Sequence, residues 1–230
     1  MTRAMNKEIR PIAYIRTDFG EKFGVPRQSG ISDKLVAKIV LEPEFSAPEA
    51  VRGLSDFSHI WVIWGFSEAK YRGALTVRPP RLGGNKRMGV FATRSPFRPN
   101  ELGLSSLRLL DVKTEGGTVL TVSGADMKDG TPIYDIKPYL AYTDSHENAV
   151  GGFADPLVGY GICVDFPKEL IELIPEDKRE ALIEVLEQDP RPSYQDDPER
   201  EYGFPFAGYE IEFKVCGDTL RVLRVRKNSP

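Results

Sequence analysis

The chain has 230 residues, 31 Lys and Arg against 34 Asp and Glu, a formal net charge of −3, and 40% hydrophobic residues, an ordinary globular composition. Its longest apolar run, Ile60 to Phe66, is far short of the ~20 residues of a membrane helix, and the start lacks the apolar stretch of a secretory signal. Two cysteines and two histidines build neither a disulfide framework nor a structural zinc site, so a reduced cytoplasmic protein with no metal and no membrane association is expected.

From residue 9 to about 140, short runs rich in β-branched and aromatic residues alternate with Gly- and Pro-rich gaps. The runs are 9–17, 35–42, 59–66, 74–78, 88–94, 104–113 and 118–124. Seven short strands in this space predict an antiparallel barrel or closed sheet. His59–Phe66 is apolar on both faces, which predicts a central strand, and Pro48–Gly53 reads as a single helical turn. The tail differs. Pro167–Glu187 predicts two short helices broken at Pro175, with Leu170, Leu173, Ile174 and then Leu182, Val185, Leu186 at helical spacing. A polar connector, 188–203, leads to two strands, 209–216 and 219–226, joined by Gly217-Asp218, a two-residue hairpin signal. Ile211, Phe213 and Val215 should share a face with Val222 and either Leu223 or Val225. The predicted fold is mainly β: a single-sheet antiparallel barrel-like domain over residues 1–158 and a small α+β appendage over 159–230.

The net charge conceals a division. Residues 1–164 carry +3, residues 165–212 carry −10, and residues 213–230 carry +4. Within 69–100 there are eight basic side chains and no acidic one, so a polyanion can bind there although the chain as a whole is acidic. Neither a phosphate-binding P-loop nor a Gly-x-Gly-x-x-Gly turn nor a Gly-x-Ser-x-Gly elbow is present. His59, at the start of the most apolar run, is expected to make a structural hydrogen bond.

Three loops are unusual. Val25–Gly30 (VPRQSG) presents an Arg–Gln pair behind a proline, suited to planar hydrogen-bonding ligands. Arg78–Asn100 (RPPRLGGNKRMGVFATRSPFRPN) packs prolines, glycines and arginines around one short run. Prolines stiffen such a loop, glycines admit a ligand to the backbone, and arginines fork onto phosphate or carboxylate. Gly124–Tyr139 sets acids beside lysines and two tyrosines. From the residues alone, the reading stops at a barrel with a rigid basic cleft for an anionic ligand. It leaves open a non-catalytic RNA-binding barrel.

VPRQSG, the long Arg/Pro/Gly segment and DGTPIYDIKPY (129–139) together resemble the TrmO family, the β-barrel tRNA methyltransferases. The resemblance spans roughly residues 8–155, and 160–230 is similar to the C-terminal extension of bacterial members. It implies S-adenosylmethionine as cofactor, methylation of N6 of N6-threonylcarbamoyladenosine beside the tRNA anticodon, and a homodimer with the cleft near the subunit interface. A different acceptor for the same cofactor remains an alternative. By position, Pro26, Arg27, Gln28, Ser67, Glu68, Arg94, Leu104, Asp126, Met127, Lys128 and Asp129 match cofactor contacts. Some members carry His then Gln where this chain has Ser67-Glu68. Methyl transfer needs alignment and a proton acceptor, expected at Asp135 or Tyr139 beside Lys137. Arg78, Arg81, Lys86, Arg87, Arg98 and Asn100 are the expected contacts to the tRNA anticodon loop, and the acidic tail should point away from it.

Overall fold

The computed structural model describes residues 8–79, 82, 86–157, 159, 161–191 and 197–228. Alternation builds the first of its two cores. In β2 (Val36–Leu41), Ala37, Ile39 and Leu41 point inward while Val36, Lys38 and Val40 face out. The same period puts Ala13 and Ile15 of β1 (Ala13–Arg16), Ile60, Val62 and Trp64 of β3 (His59–Gly65) and Leu120 and Val122 of β7 (Val119–Ser123) into one cluster. With β6 (Leu102–Lys113) and β8 (Pro132–Pro138), these strands close an antiparallel barrel in the order β1-β2-β7-β6-β3-β8. Closure pairs every strand on both sides and leaves no exposed edge. β3 lies between β6, which it pairs with over its whole length, and β8, which it pairs with from Ile60 to Trp64, as its apolar character requires.

Two predicted barrel strands are not in the barrel. Only Thr76–Val77 (β4) and Met88–Gly89 (β5) of those runs are extended, and they pair with each other in a separate ribbon. Val90–Ala92 turns into a 3-10 helix. Leu75 and Phe91 are 70% and 75% exposed, so neither run offers the continuous apolar face that barrel packing needs. The sixth barrel strand is instead β8, read from sequence as the continuation of a loop. Its terminal prolines, which donate no ladder bond, mark its ends.

A single helical turn, α1 (Ala141–Asp144), follows the barrel, and in the tail α2 (Lys168–Ile171) and α3 (Glu176–Glu187) are separated at Pro175, which caps α3. Ala181, Leu182, Val185 and Leu186 are buried, whereas Leu173, in the turn between the helices, is 51% exposed. The second core is a four-stranded sheet, ordered β10-β11-β12-β9, of β9 (Cys163–Asp165), β10 (Glu201–Phe206), β11 (Tyr209–Cys216) and β12 (Thr219–Lys227). β10 begins inside the predicted connector. Gly217 takes φ +58 at the hairpin turn. A bulge opposite Glu212 and Phe213 sets Phe213 against Val222 and Ile211 against Val225, so Val225 rather than Leu223 completes the face. This core also takes in Phe19 and Leu35, with Phe23 and Val25 packed against it, all from the segment joining β1 to β2.

Candidate functional site

Every neighbouring pair in this barrel is antiparallel, which fixes the direction of each strand and the end at which each connection emerges. Segments 17–35, 66–101 and 124–131, which follow β1, β3 and β7, therefore emerge at the same end. They are fastened to one another. The Gly30 N–H donates to Gly124 O at 2.9 Å, and the Gly124 N–H donates to Leu35 O at 3.1 Å. Arg94 donates to Gln28 Oε1, and Lys128 is ion-paired with Glu68.

At the barrel mouth, Trp64 Nε1 donates to Ser105 Oγ at 2.9 Å, and Ser105 Oγ donates to Asp126 Oδ1 at 2.6 Å. Burial pushes the Asp126 carboxyl above the usual carboxylate range, only partly offset by the Ser105 hydrogen bond and the Arg94 charge. The Trp64 ring spans Gly103, where a Cβ would overlap it, and meets Phe66 edge-on at 4.3 Å.

These groups surround a cavity of about 750 Å³ that includes Trp61 and Leu104 in its wall, a volume suited to a small-molecule cofactor. It adjoins a wider groove of about 1860 Å³ whose wall shares Lys22, Arg27, Gln28, Glu68 and Arg94 and adds Lys70, Arg72, Arg78 and Arg87. One acid, Glu68, faces these cations in the groove wall among the described residues.

The structure gathers most of the expected cofactor residues. Pro26, Arg27, Gln28, Ser67, Glu68, Arg94, Leu104, Asp126, Met127 and Lys128 all line the smaller cavity. Asp129 does not. Its Oδ1 accepts the Thr17 N–H at 3.0 Å and its Oδ2 pairs with Arg16 at 3.4 Å, tying the end of β1 to the loop.

Of the expected tRNA contacts, Arg78 and Arg87 line the groove and Arg98 lines the cavity. Lys86 and Asn100 are not among the described residues lining either; Asn100, at φ +66, makes a left-handed turn that asparagine tolerates. Arg81 lies outside the described residues. The basic last strand is largely neutralised: Arg221 pairs with Asp165, Arg224 with Glu201 and Glu212, and Arg226 with Glu212.

The expected proton-handling residues are not among those lining the cavity. β8 carries an extra residue at Tyr134, so both Ile133 and Ile136 turn toward the core. Asp135 and Lys137 consequently point outward and pair at 2.8 Å. Tyr139 packs against Trp61 at 5.5 Å, bracing a residue that does line the cavity. His59 Nδ1 lies 2.9 Å from Ser58 Oγ, the structural bond expected of it.

Sequence reasoning missed Lys22, Ile31, Trp61, Trp64, Ser105 and a wall from the tail, Val185, Gln188 and Pro190. Ser105 carried a signal, a polar residue at an inward position of an apolar strand. Val185 carried none, because an apolar helix position reads as core, and Gln188 and Pro190 read as part of a polar connector.

A closed antiparallel barrel whose loop end holds a mixed acidic and guanidinium cavity beside a cationic groove is a ligand-binding β-barrel, distinct from the doubly wound nucleotide folds. Residues 14–145 match the family model of the tRNA-methyltransferase O N-terminal domain, and 163–228 match that of the TrmO C-terminal domain. This chain belongs to the TrmO family. It is 41% identical over 216 residues to the tRNA (adenine(37)-N6)-methyltransferase of Escherichia coli, covering 90% of this chain and 91% of the relative. It is 40% identical over 231 residues to a Pseudomonas aeruginosa protein with the provisional name S-adenosylmethionine-dependent methyltransferase RcsF, covering 96% and 98%. The crystal structure of TrmO from P. aeruginosa superposes with a TM-score of 0.80 at 32% identity, covering 99% of this chain and all of that one. No helix among the described residues is long and apolar enough to cross a membrane.

Proposed function

We propose that this chain transfers a methyl group from S-adenosylmethionine to N6 of N6-threonylcarbamoyladenosine in tRNA, as a cytoplasmic homodimer whose catalytic unit is residues 1–158 and whose appendage is 159–230. One observation carries the reading. Ten residues matching family cofactor contacts, scattered from Pro26 to Lys128, line a single cavity opening on a cationic groove.

The donor set fits the cofactor. Arg27 and Arg94 suit a carboxylate, Glu68 and Asp126 suit amino, hydroxyl and positively charged groups, and Trp64, Phe66, Ile31 and Met127 suit a purine face. Bound there, S-adenosylmethionine supplies an electrophilic methyl on a positively charged sulfur. The protein's part is alignment and removal of the N6 proton. Asp126 is the acceptor we assign, because it stands in the cavity wall with its proton affinity raised by burial. Lys70, Arg72, Arg78 and Arg87 offer contacts for phosphates and the threonyl carboxylate. Phe91 and Phe97, 75% and 50% exposed in the groove, offer rings to unstacked bases. Support for a dimer comes from Val36, Val40, Leu104 and Leu110, apolar side chains exposed on barrel strands.

The test incubates the protein with labelled S-adenosylmethionine and tRNA lacking the methyl mark, followed by nucleoside mass spectrometry. The expected product is threonylcarbamoyladenosine heavier by one methyl. Absence of cofactor binding at millimolar concentration by calorimetry would overturn the reading, and methylation of another nucleoside would overturn its substrate.

Arg94→Ala should lower kcat/KM by about 10²-fold or more, since it removes both the bridge to Gln28 and a cavity cation. The far-ultraviolet circular dichroism should not change. Full activity would place Arg94 outside the site.

A further inference from the structure

We propose that the C-terminal domain is a positioning part of the cofactor site, holding the 17–35 segment in its ligand-ready shape and closing one wall of the cavity. The inference rests on reading the 750 Å³ cavity as the cofactor site.

Three sets of contacts carry it. The first is a shared core. Phe19 is 2% exposed and meets Phe206 at 5.4 Å, while Phe23 packs against Tyr202 at 6.5 Å and Phe204 at 6.1 Å. Gly24 has φ +90, and a Cβ there would overlap the Phe204 ring. The loop therefore requires glycine at this point for both conformation and space. Two residues later the cofactor-binding stretch Pro26-Arg27-Gln28 begins. Its entry angle is set by a hydrophobic anchor belonging to the other domain.

The second set fixes Arg27 itself. Its guanidinium donates to Asp189 O at 3.2 Å and Arg191 O at 2.9 Å. Asp189 follows the end of α3 in the left-handed region, at φ +50, and is 5% exposed, with its carboxylate accepting Arg191 Nε at 3.0 Å. A buried non-glycine residue in that conformation is held by its surroundings, so the carbonyls facing Arg27 are set by the tail's own packing.

The third set closes the wall and clamps α3 along the segment. Val185, Gln188 and Pro190 line the cavity. Lys178 pairs with Asp18 at 2.6 Å, Lys34 pairs with Glu180 at 2.6 Å, and Ser32 Oγ is hydrogen-bonded to Glu184.

The test uses the full chain with two variants that leave every cavity side chain in place on the barrel: Gly24→Ala, and the milder Glu184→Ala with Lys178→Met, which removes the acceptor of Ser32 and the partner of Asp18. Calorimetry measures S-adenosylmethionine affinity, steady-state kinetics separates KM from kcat, and hydrogen exchange reads the amides of residues 22–31. The expected result is a five- to fifty-fold weaker cofactor affinity, a KM for the cofactor raised more than kcat is lowered, and at least tenfold faster exchange in 22–31 with barrel-strand exchange unchanged. Wild-type exchange in 22–31 for both variants overturns the proposal, whatever the cofactor does. Faster exchange with unaltered affinity overturns its cofactor part. A wild-type protein that binds no S-adenosylmethionine overturns instead the underlying reading of the cavity, and the exchange result still decides whether the tail shapes the loop. If Gly24→Ala does not fold, the double variant alone decides.

Discussion

Asp126→Asn should lower kcat by roughly 10²–10⁴-fold, the range of a lost general base, while making the protein more stable at neutral pH. Both effects have one cause. The carboxyl is buried at the barrel mouth and its proton affinity is raised. The folded state therefore binds that proton more tightly than the unfolded chain, whose value is near the ordinary ~3.9. Stability from this group is fully present below that value, falls as pH rises through the raised folded value, and is flat above it. Asparagine keeps an oxygen to accept the Ser105 hydroxyl but carries no charge to bury. In urea denaturation the advantage of the variant should be small near pH 4 and grow toward neutrality. In kinetics the acid limb of the kcat/KM profile should disappear. An unchanged kcat removes Asp126 as proton acceptor, and parallel stability profiles remove the buried charge.

Gly103→Ala is the second large effect, and it acts through packing. Gly103 is paired with Trp64 across β3 and β6, and an added methyl would fall inside the indole ring. Overpacking of this kind costs about 1–3 kcal/mol. Displacing the indole also breaks its bond to buried Ser105, a further ~1–3 kcal/mol for unpaired groups. About 3 kcal/mol in total lowers Tm by roughly 6–12 °C for a protein of this size. Ser105 is the partner of Asp126, so the pH profile should move as well. Trp64→Phe, which keeps a ring but loses the N–H, separates the two contributions. A melting temperature equal to wild type would mean that the indole has room to shift.

Much of the architecture was legible because period-two alternation is a local signal. β1, β2, β3, β6 and β7 could each be read from their own residues, as could the break at Pro175 and the Gly217-Asp218 turn. β8 could not. Its bulge at Tyr134 disrupts the alternation, and the same bulge sends Asp135 outward, so one irregularity hid both a strand and the reason an expected site residue lies outside the cavity. The runs around β4 and β5 showed the opposite failure: β-like composition without a face to bury. The cavity was legible where unusual loops carry it, at Pro26-Arg27-Gln28, Arg94 and Asp126–Lys128. The Trp64–Ser105–Asp126 chain was not, because it joins three strands or loops whose proximity only the closed barrel creates.

The three site loops leave one end of the barrel, so the opposite end carries none of them and can serve as a handle. There the β6–β7 connection is a tight turn, with Glu115 and Gly116 exposed and Gly116 at φ +73. A short insertion at that turn, carrying a fluorophore or a surface tether, falls on exposed backbone of the kind that tolerates it. It would orient every immobilised molecule with its cavity and cationic groove toward solution, which suits the chain to single-molecule recording of RNA arrival and release.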